Sequence, residues 1–323
     1  MTTEIPVFYA IDEYYAPMFT VALASLIANV DTSGAHHYHV TVVYSGLKDE
    51  TKKIIAGMST NDVKVELYPM RDAMVELVSS ETNTLPTQDA AELTMYFRLF
   101  LPDMFPQYDR GIYLDADTIV NTDIAQFYEL DLEGNMLGAI HDGFIEADPI
   151  LTRYAEKGHG FPAARYFNSG VLLMDFALFR ELDFTNNFSR LLNTYHVKLI
   201  ASDQDYLNVM CGQRTKLLPE KWNVMSGGLL GRDWRKLNPL IIHYNLFGKP
   251  WHYEDAPMAE LFWKYAPHSA FYQQLRDTVE NFNGDMVADD ERKKQKLIAG
   301  AQNFPDNDVT FAKLVEQGVK VAL

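Results

Sequence analysis

Hydrophobic positions along the 323-residue chain switch between two patterns. Ile5-Pro6-Val7-Phe8-Tyr9-Ala10 is a short apolar run closed by the polar Asp12-Glu13, as expected of a strand covered on both faces. From Ala16 to Val30 the spacing becomes helical, with Phe19, Leu23, Leu26, Ile27 and Val30 on one side. His39–Tyr44 predicts a second strand, Lys48–Met58 a helix, and Val63–Leu67 an alternating third strand. Leu93–Leu101 reads as a helix stopped by Pro102. The apolar runs at Ile112–Leu114, Met136–His141, Val171–Asp175 and Leu240–Tyr244 predict further strands, and Phe176–Asn193 and Tyr206–Cys211 predict helices. Strands alternating with helices define an α/β fold with a mostly parallel central sheet flanked by helices. Beyond Tyr253 only helical spacing remains, from 257 to 283 with a break at Pro267, then a charge-rich solvated segment at 285–296 and a last helix within 303–323. The chain is therefore expected to divide into a domain at 1–253 and a helical C-terminal extension at 254–323.

The stretch Gly111–Asn121, GIYLDADTIVN, carries the most pointed chemistry. An apolar run delivers Asp115 and Asp117 to the C-terminal edge of a strand, where open α/β sheets bind ligands. On continuous extended backbone the two side chains would share a face about 7 Å apart. Carboxylates on a buried strand end need a cationic partner, either a metal or an arginine. The plainer alternative is a turn in which both side chains bond nearby N–H groups.

Composition narrows the partners. A formal charge of −16 argues against nucleic acid and against recruitment to an anionic membrane by bulk charge. An anionic substrate would then need a local cation. A single cysteine, Cys211, excludes an intramolecular disulfide framework and fits a reducing compartment. The Met-Thr-Thr-Glu start lacks a secretory pattern, and no apolar run reaches membrane-span length, so a cytoplasmic location is expected.

Several further residues stand out. Tyr14 and Tyr15, in the turn after the first strand, either stack on a base or pack. His36, His37 and His39 read as a solvated cluster. Arg98 lies in an apolar stretch and needs a buried partner, for which Asp115 or a ligand phosphate is available. Ser202 with Asp205 forms a capping-box pattern that leaves Asp203 and Gln204 unexplained. His243 ends a strand, and Lys249, six residues on, would suit a diphosphate.

Taken in order, YAIDEYY, YFRLFLP, YLDADTIV, YFNSGVLLMD, SDQDYLN and HYNLFGKPWH resemble the family 8 retaining glycosyltransferases, over roughly residues 4–253. The resemblance is nearest to the bacterial lipooligosaccharide galactosyltransferases and more distant to glycogenin. It implies the GT-A fold and transfer of a hexose from UDP-glucose or UDP-galactose to a saccharide or glycoconjugate hydroxyl. It also implies Asp115, Asp117 and His243 as ligands of Mn²⁺, with Mg²⁺ the alternative ion. Ala10, Asp12 and Tyr15 match the uridine pocket; Arg98, the DxD segment with Ala116, Gly248 and Lys249 match the rest of the donor site. Asn168, Asp203 and Gln204 match residues lining the sugar at its anomeric carbon. With no well-placed carboxylate nucleophile in these motifs, front-face attack is expected, the leaving phosphate oxygen taking the acceptor's proton. Where family members often place glycine three residues after the histidine, this chain has Leu246. The acceptor would be a saccharide on lipid, on a teichoic-acid-type polymer or on protein. Peripheral attachment to the inner membrane face and a homodimer are compatible with the aromatic tail.

Two other classes compete. DxDxT is also the nucleophile signature of haloacid-dehalogenase-like phosphohydrolases, but three strand-like segments precede it here and Asp289-Asp290 lies in a solvated charge run. A non-catalytic UDP-sugar-binding protein on the same fold would be expected to have lost a metal ligand, and Asp115, Asp117 and His243 are all present.

Overall fold

A computed structural model describes residues 3–70 and 95–323. Among the described residues ten strands run in chain order: β1 Thr3–Ile11, β2 His36–Tyr44, β3 Val63–Pro69, β4 Arg110–Leu114, β5 Thr118–Val120, β6 Leu137–His141, β7 Phe167–Asp175, β8 Thr215–Leu217, β9 Val224–Met225 and β10 Ile241–His243. The chain forms two compact units. One takes the described residues of Met1–Arg71, Gly111–Asp131 and Pro219–Val287; the other takes those of Asp72–Arg110, Leu132–Leu218 and Ala288–Leu323. The helices after residue 253 are thus divided between the units.

In the first unit β3, β2, β1 and β4 lie side by side, all parallel. β1 is central, with Val7 paired to both Val40 and Ile112, which explains why its sequence is a continuous apolar run. Helix Ala16–Asn29 follows after a four-residue turn and is buried from Ala16 to Leu26. A three-stranded sheet sets β10 antiparallel to β5 and parallel to β9. Val21, Ile119, Val224, Ile242, Tyr244, Trp251 and Phe262 form one apolar cluster around it. Asp115-Ala116-Asp117 is a turn between β4 and β5, so the expectation of continuous extended backbone through these residues does not hold. The break lets β4 and β5 join different sheets.

In the second unit β6 lies between antiparallel β7 and parallel β8, with a bulge at Ala139/Ile140. The helix expected over Phe176–Asn193 is two helices, Phe176–Glu181 and Phe184–Tyr195, because Asp183 adopts a left-handed φ of 53°. Helix Ser202–Cys211 starts earlier than the sequence suggested, and Ser202 does not cap it. Asp205 does the reciprocal half of that motif, accepting the N–H of Ala201 at 3.0 Å. Tyr154, Phe161, Tyr166, Ala301 and Phe304 share a second apolar cluster. Around Arg98 the chain forms a 3₁₀ turn at Phe97–Leu99 and helix Leu101–Met104; the predicted start at Leu93 lies outside the described residues.

Candidate active site

The first unit gathers the candidate metal residues and, Arg98 apart, the candidate donor residues. The β4–β5 turn carries Asp115 and Asp117, and β10 runs antiparallel to β5 with His243 opposite Thr118. His243 Nε2 consequently lies 3.2 Å from Asp117 Oδ1 and 3.6 Å from Asp115 Oδ2. One ligand atom from each of the three residues falls within 4.8 Å of the others. His243 and Asp117 are buried, and His243 Nδ1 has no hydrogen-bond partner among the described residues. The ring's polar outlet there is therefore its Nε2 face, toward the carboxylates. Two carboxylates and a neutral imidazole suit a borderline divalent ion such as Mn²⁺. Burial pushes the Asp117 carboxyl up, but the neighbouring Lys249 ammonium and His243 outweigh it and hold the group well below its usual range. Lys249 Nζ stands 2.6 Å from Asp117 Oδ2 and also donates to the Tyr244 carbonyl.

Ala10 lies near the C-terminal end of β1. Asp12 Oδ1 accepts the N–H of Tyr15 at 2.8 Å, fixing the turn into helix Ala16–Asn29. The two tyrosines differ: Tyr14 is 60% exposed, whereas Tyr15 packs against the apolar cluster. Burial first, then the fields of Asp117, Tyr14 and Asp115, push the Tyr15 phenol far up. Ala116 is buried between the two aspartates. Leu246 and Gly248 both have positive φ, 57° and 71°. Leu246 therefore occupies a left-handed position of the kind glycine fills without strain, and holds it with a full side chain. His39 of β2 is held between Glu4 of β1 and Glu66 of β3, at 3.0 and 2.6 Å, and belongs to a polar cluster across the three strands.

The second unit gathers the candidate sugar-site residues. Arg98 is buried, and within this unit Asp203 partners it, with Nε 3.0 Å from Oδ2. Its NH1 donates to the Ser169 carbonyl at 2.6 Å. Ser169 Oγ donates to Asp203 Oδ2 at 3.1 Å, and Ser169 N–H donates to Gln204 Oε1 at 3.0 Å. Asn168 Nδ2 donates to the same Gln204 oxygen at 3.2 Å, while Gln204 Nε2 donates to Asp142 Oδ2 at 3.3 Å. Asn168, Asp203, Gln204 and Arg98 thus form one connected network on β7, helix Ser202–Cys211 and the Phe97–Leu99 turn. Asn208 ties this helix to β7, accepting Phe167 N–H and donating to Phe167 carbonyl, both at 2.9 Å.

Sequence reasoning missed Asp142, Ser169, Asn208 and the partners of Asp205. Asp142 follows the end of β6 just as Asp115 follows β4, and the rule that strand ends present ligand groups could have found it. It caps helix Gly143–Ala147 through Phe144 N–H, and burial raises its carboxyl above the usual range against the hydrogen bonds it accepts. Asp205 is fully buried and receives Tyr154 OH at 2.5 Å and Tyr166 OH at 2.6 Å, with His159 Nε2 at 3.0 Å. The His159 contact lacks good hydrogen-bond alignment. Nothing in local sequence marks Tyr154 or His159.

Comparison with known proteins accords with this geometry. A putative glycosyltransferase of Haemophilus influenzae is 25% identical over 218 residues, covering 67% of this chain and 62% of the relative. The lipopolysaccharide 1,2-glucosyltransferase of Escherichia coli K12 is 26% identical over 254 residues, covering 76% of this chain and 72% of the relative. This chain therefore spans less than two thirds of the first relative's length. Among solved structures, the galactosyltransferase LgtC in complex with donor and acceptor sugar analogues matches with a TM-score of 0.65 at 24% identity, over 82% of this chain and 96% of that one. That likeness shows the fold, a GT-A-like arrangement with a mostly parallel sheet flanked by helices. The model of glycosyl transferase family 8 matches residues 6–255, and the chain belongs to that family.

Proposed function

We propose that the protein transfers a hexose from a UDP-sugar, UDP-glucose or UDP-galactose, to a hydroxyl of a saccharide or glycoconjugate, with retention and with Mn²⁺ as the bound ion. The observation that carries this reading is the convergence of Asp115 and Asp117, on one turn, with His243, more than a hundred residues further along the chain, to within 4.8 Å. Bound there, Mn²⁺ would supply Lewis-acid neutralisation of the departing diphosphate. The chain's own residues would do the rest. Tyr15 would stack on the uracil, with Asp12 and the backbone at Ala10 reading its edge. Lys249 and the left-handed Gly248 would bracket the diphosphate. Gln204, Asp203 and Asn168 would orient the sugar and stabilise positive charge at its anomeric carbon.

Front-face attack fits the second unit's hydrogen bonding better than a glycosyl-enzyme intermediate. Asp205 has both oxygens engaged by tyrosines in a fully buried setting, and Asp203 is bound by Arg98 and Ser169. Neither carboxylate is held open as a nucleophile. Relatives carry the name lipopolysaccharide 1,2-glucosyltransferase, so a lipid-linked saccharide is the first acceptor class to try here. Work at the inner face of a membrane would suit it; among the described residues no helix is long and apolar enough to cross one.

The test is Asp117→Ala. It should abolish Mn²⁺-dependent UDP binding measured by calorimetry while leaving the circular dichroism spectrum unchanged. Tight Mn²⁺-dependent UDP binding by that variant would sink the ligand assignment.

A further inference from the structure

Lys249 is placed as more than a diphosphate contact. Its Nζ sits 2.6 Å from Asp117 Oδ2, while His243 Nε2 sits 3.2 Å from Asp117 Oδ1, so both oxygens of this aspartate already have a partner. The ammonium also donates to the carbonyl of Tyr244, five residues back. That return is built by the loop: Leu246 and Gly248, at φ 57° and 71°, bend the backbone twice within three residues. The Lys249 carbonyl accepts both His252 N–H and Tyr253 N–H at 2.9 Å, pinning the main chain and leaving the four-carbon stem as the part able to move. Asp117 is 8% and Lys249 9% exposed. In such a site a lone carboxylate is costly, and a cation at hydrogen-bond distance removes the cost.

A divalent ion bound by Asp115, Asp117 and His243 would have to share the Asp117 carboxylate with the ammonium that already engages its Oδ2. The two carboxylates with the ammonium leave one net negative charge; a divalent ion added beside the ammonium would turn the site net positive, two like-signed charges a few ångströms apart. The conflict ends when a diphosphate arrives, because its oxygens give the ammonium another anion within the swing of its stem.

We propose that Lys249 is the resident counter-ion of the metal-free site, and that it yields Asp117 to a divalent cation only when a nucleoside diphosphate is there to receive it. Metal and nucleotide then enter as a coupled pair. The proposal rests on the reading of Asp115, Asp117 and His243 as a cation site. It gives Lys249 opposite effects on the two ligands: it weakens binding of the metal alone and strengthens binding of the diphosphate. A lysine that served only the diphosphate would leave the affinity for metal alone unchanged.

The experiment titrates the full chain with Mn²⁺, following free ion by electron paramagnetic resonance, first without nucleotide and then with saturating UDP. The wild type should bind Mn²⁺ weakly alone and much more tightly with UDP. Lys249→Met should bind Mn²⁺ alone more tightly by about tenfold or more, and UDP in the presence of Mn²⁺ more weakly by at least about tenfold, so the coupling between the ligands collapses. Lys249→Gln, which removes the charge but keeps a polar N–H donor, should behave likewise and guards against misfolding of the methionine variant. Lys249→Arg keeps a cation and should keep the weak metal-only binding. Unchanged or weakened Mn²⁺ binding by the Met and Gln variants without nucleotide overturns the proposal. If the wild type takes up no Mn²⁺ even with UDP, the cation-site reading itself fails, and the proposal with it.

Discussion

Replacing Asp205 by asparagine keeps the shape of the side chain and removes its charge at a fully buried point. The carboxylate accepts three hydrogen bonds, from Tyr154, Tyr166 and Ala201, and faces His159 at 3.0 Å. Each bond to a charged acceptor is worth about 1.5–3 kcal/mol against about 1 kcal/mol for a neutral one. The new amide NH₂ would also confront a donor, leaving that pair unsatisfied. Together these give an expected loss of about 3–5 kcal/mol, measured as the difference in urea unfolding free energy at pH 7. The loss carries a pH signature. Burial raises the Asp205 pKa, but His159 and the tyrosine hydroxyls outweigh it and place the group below its ordinary 3.8. A depressed folded pKa contributes stability that is present above the unfolded value and is lost as pH falls through the folded one. The gap between wild type and Asp205→Asn should therefore be full above the ordinary carboxylate range and narrow below it. A gap under about 1 kcal/mol at pH 7, or one that stays constant on acidification below 3.8, would refute the reasoning.

Leu246 offers a contrast of sign. Leu246→Gly should be neutral or stabilising by up to about 1 kcal/mol, because glycine releases the strain at φ 57°, whereas Leu246→Val should destabilise by about 1 kcal/mol or more, both read from thermal melts. Gln204→Ala should lower kcat by about 10²-fold in hexosyl transfer with UDP affinity held within about threefold, and an unchanged kcat would remove Gln204 from the sugar site. Gly212→Ala should cost about 1–3 kcal/mol in chemical denaturation, because a Cβ there would lie 2.2 Å from the Phe161 ring; a neutral substitution would show that the ring yields freely.

The parts of this protein that were legible in its sequence are those encoded locally. β1 is a near-continuous apolar run because it is flanked by β2 and β4, and the switch to helical spacing at Ala16 marks the following helix. The ordered set of short motifs brought the family into view, since each motif is a strand end or a helix start carrying its own polar groups. What escaped was set by tertiary pairing. The turn at Asp115-Ala116-Asp117 arises because β5 joins a different sheet from β4, with β10 as its neighbour. Arg98 was seen to need a partner, but Asp203 lies more than a hundred residues away and only packing brings the two within 3.0 Å. Asp205 read as half of a capping box, which it is toward Ala201, yet its tyrosine partners come from segments that carry no signal of their own. Leu246 was noticed as a departure from the family pattern, and only backbone geometry shows it holding the left-handed position itself.

The central claim is Mn²⁺-dependent use of a UDP-sugar, and the most direct measurement is release of free UDP from a panel of UDP-sugars, with and without Mn²⁺ and with no acceptor added. Slow donor hydrolysis of one hexose, UDP-glucose or UDP-galactose, that depends on Mn²⁺ and disappears in Asp117→Ala is the predicted result. Absence of both turnover and Mn²⁺-dependent UDP binding would contradict the account and reopen the phosphohydrolase reading of Asp115 and Asp117.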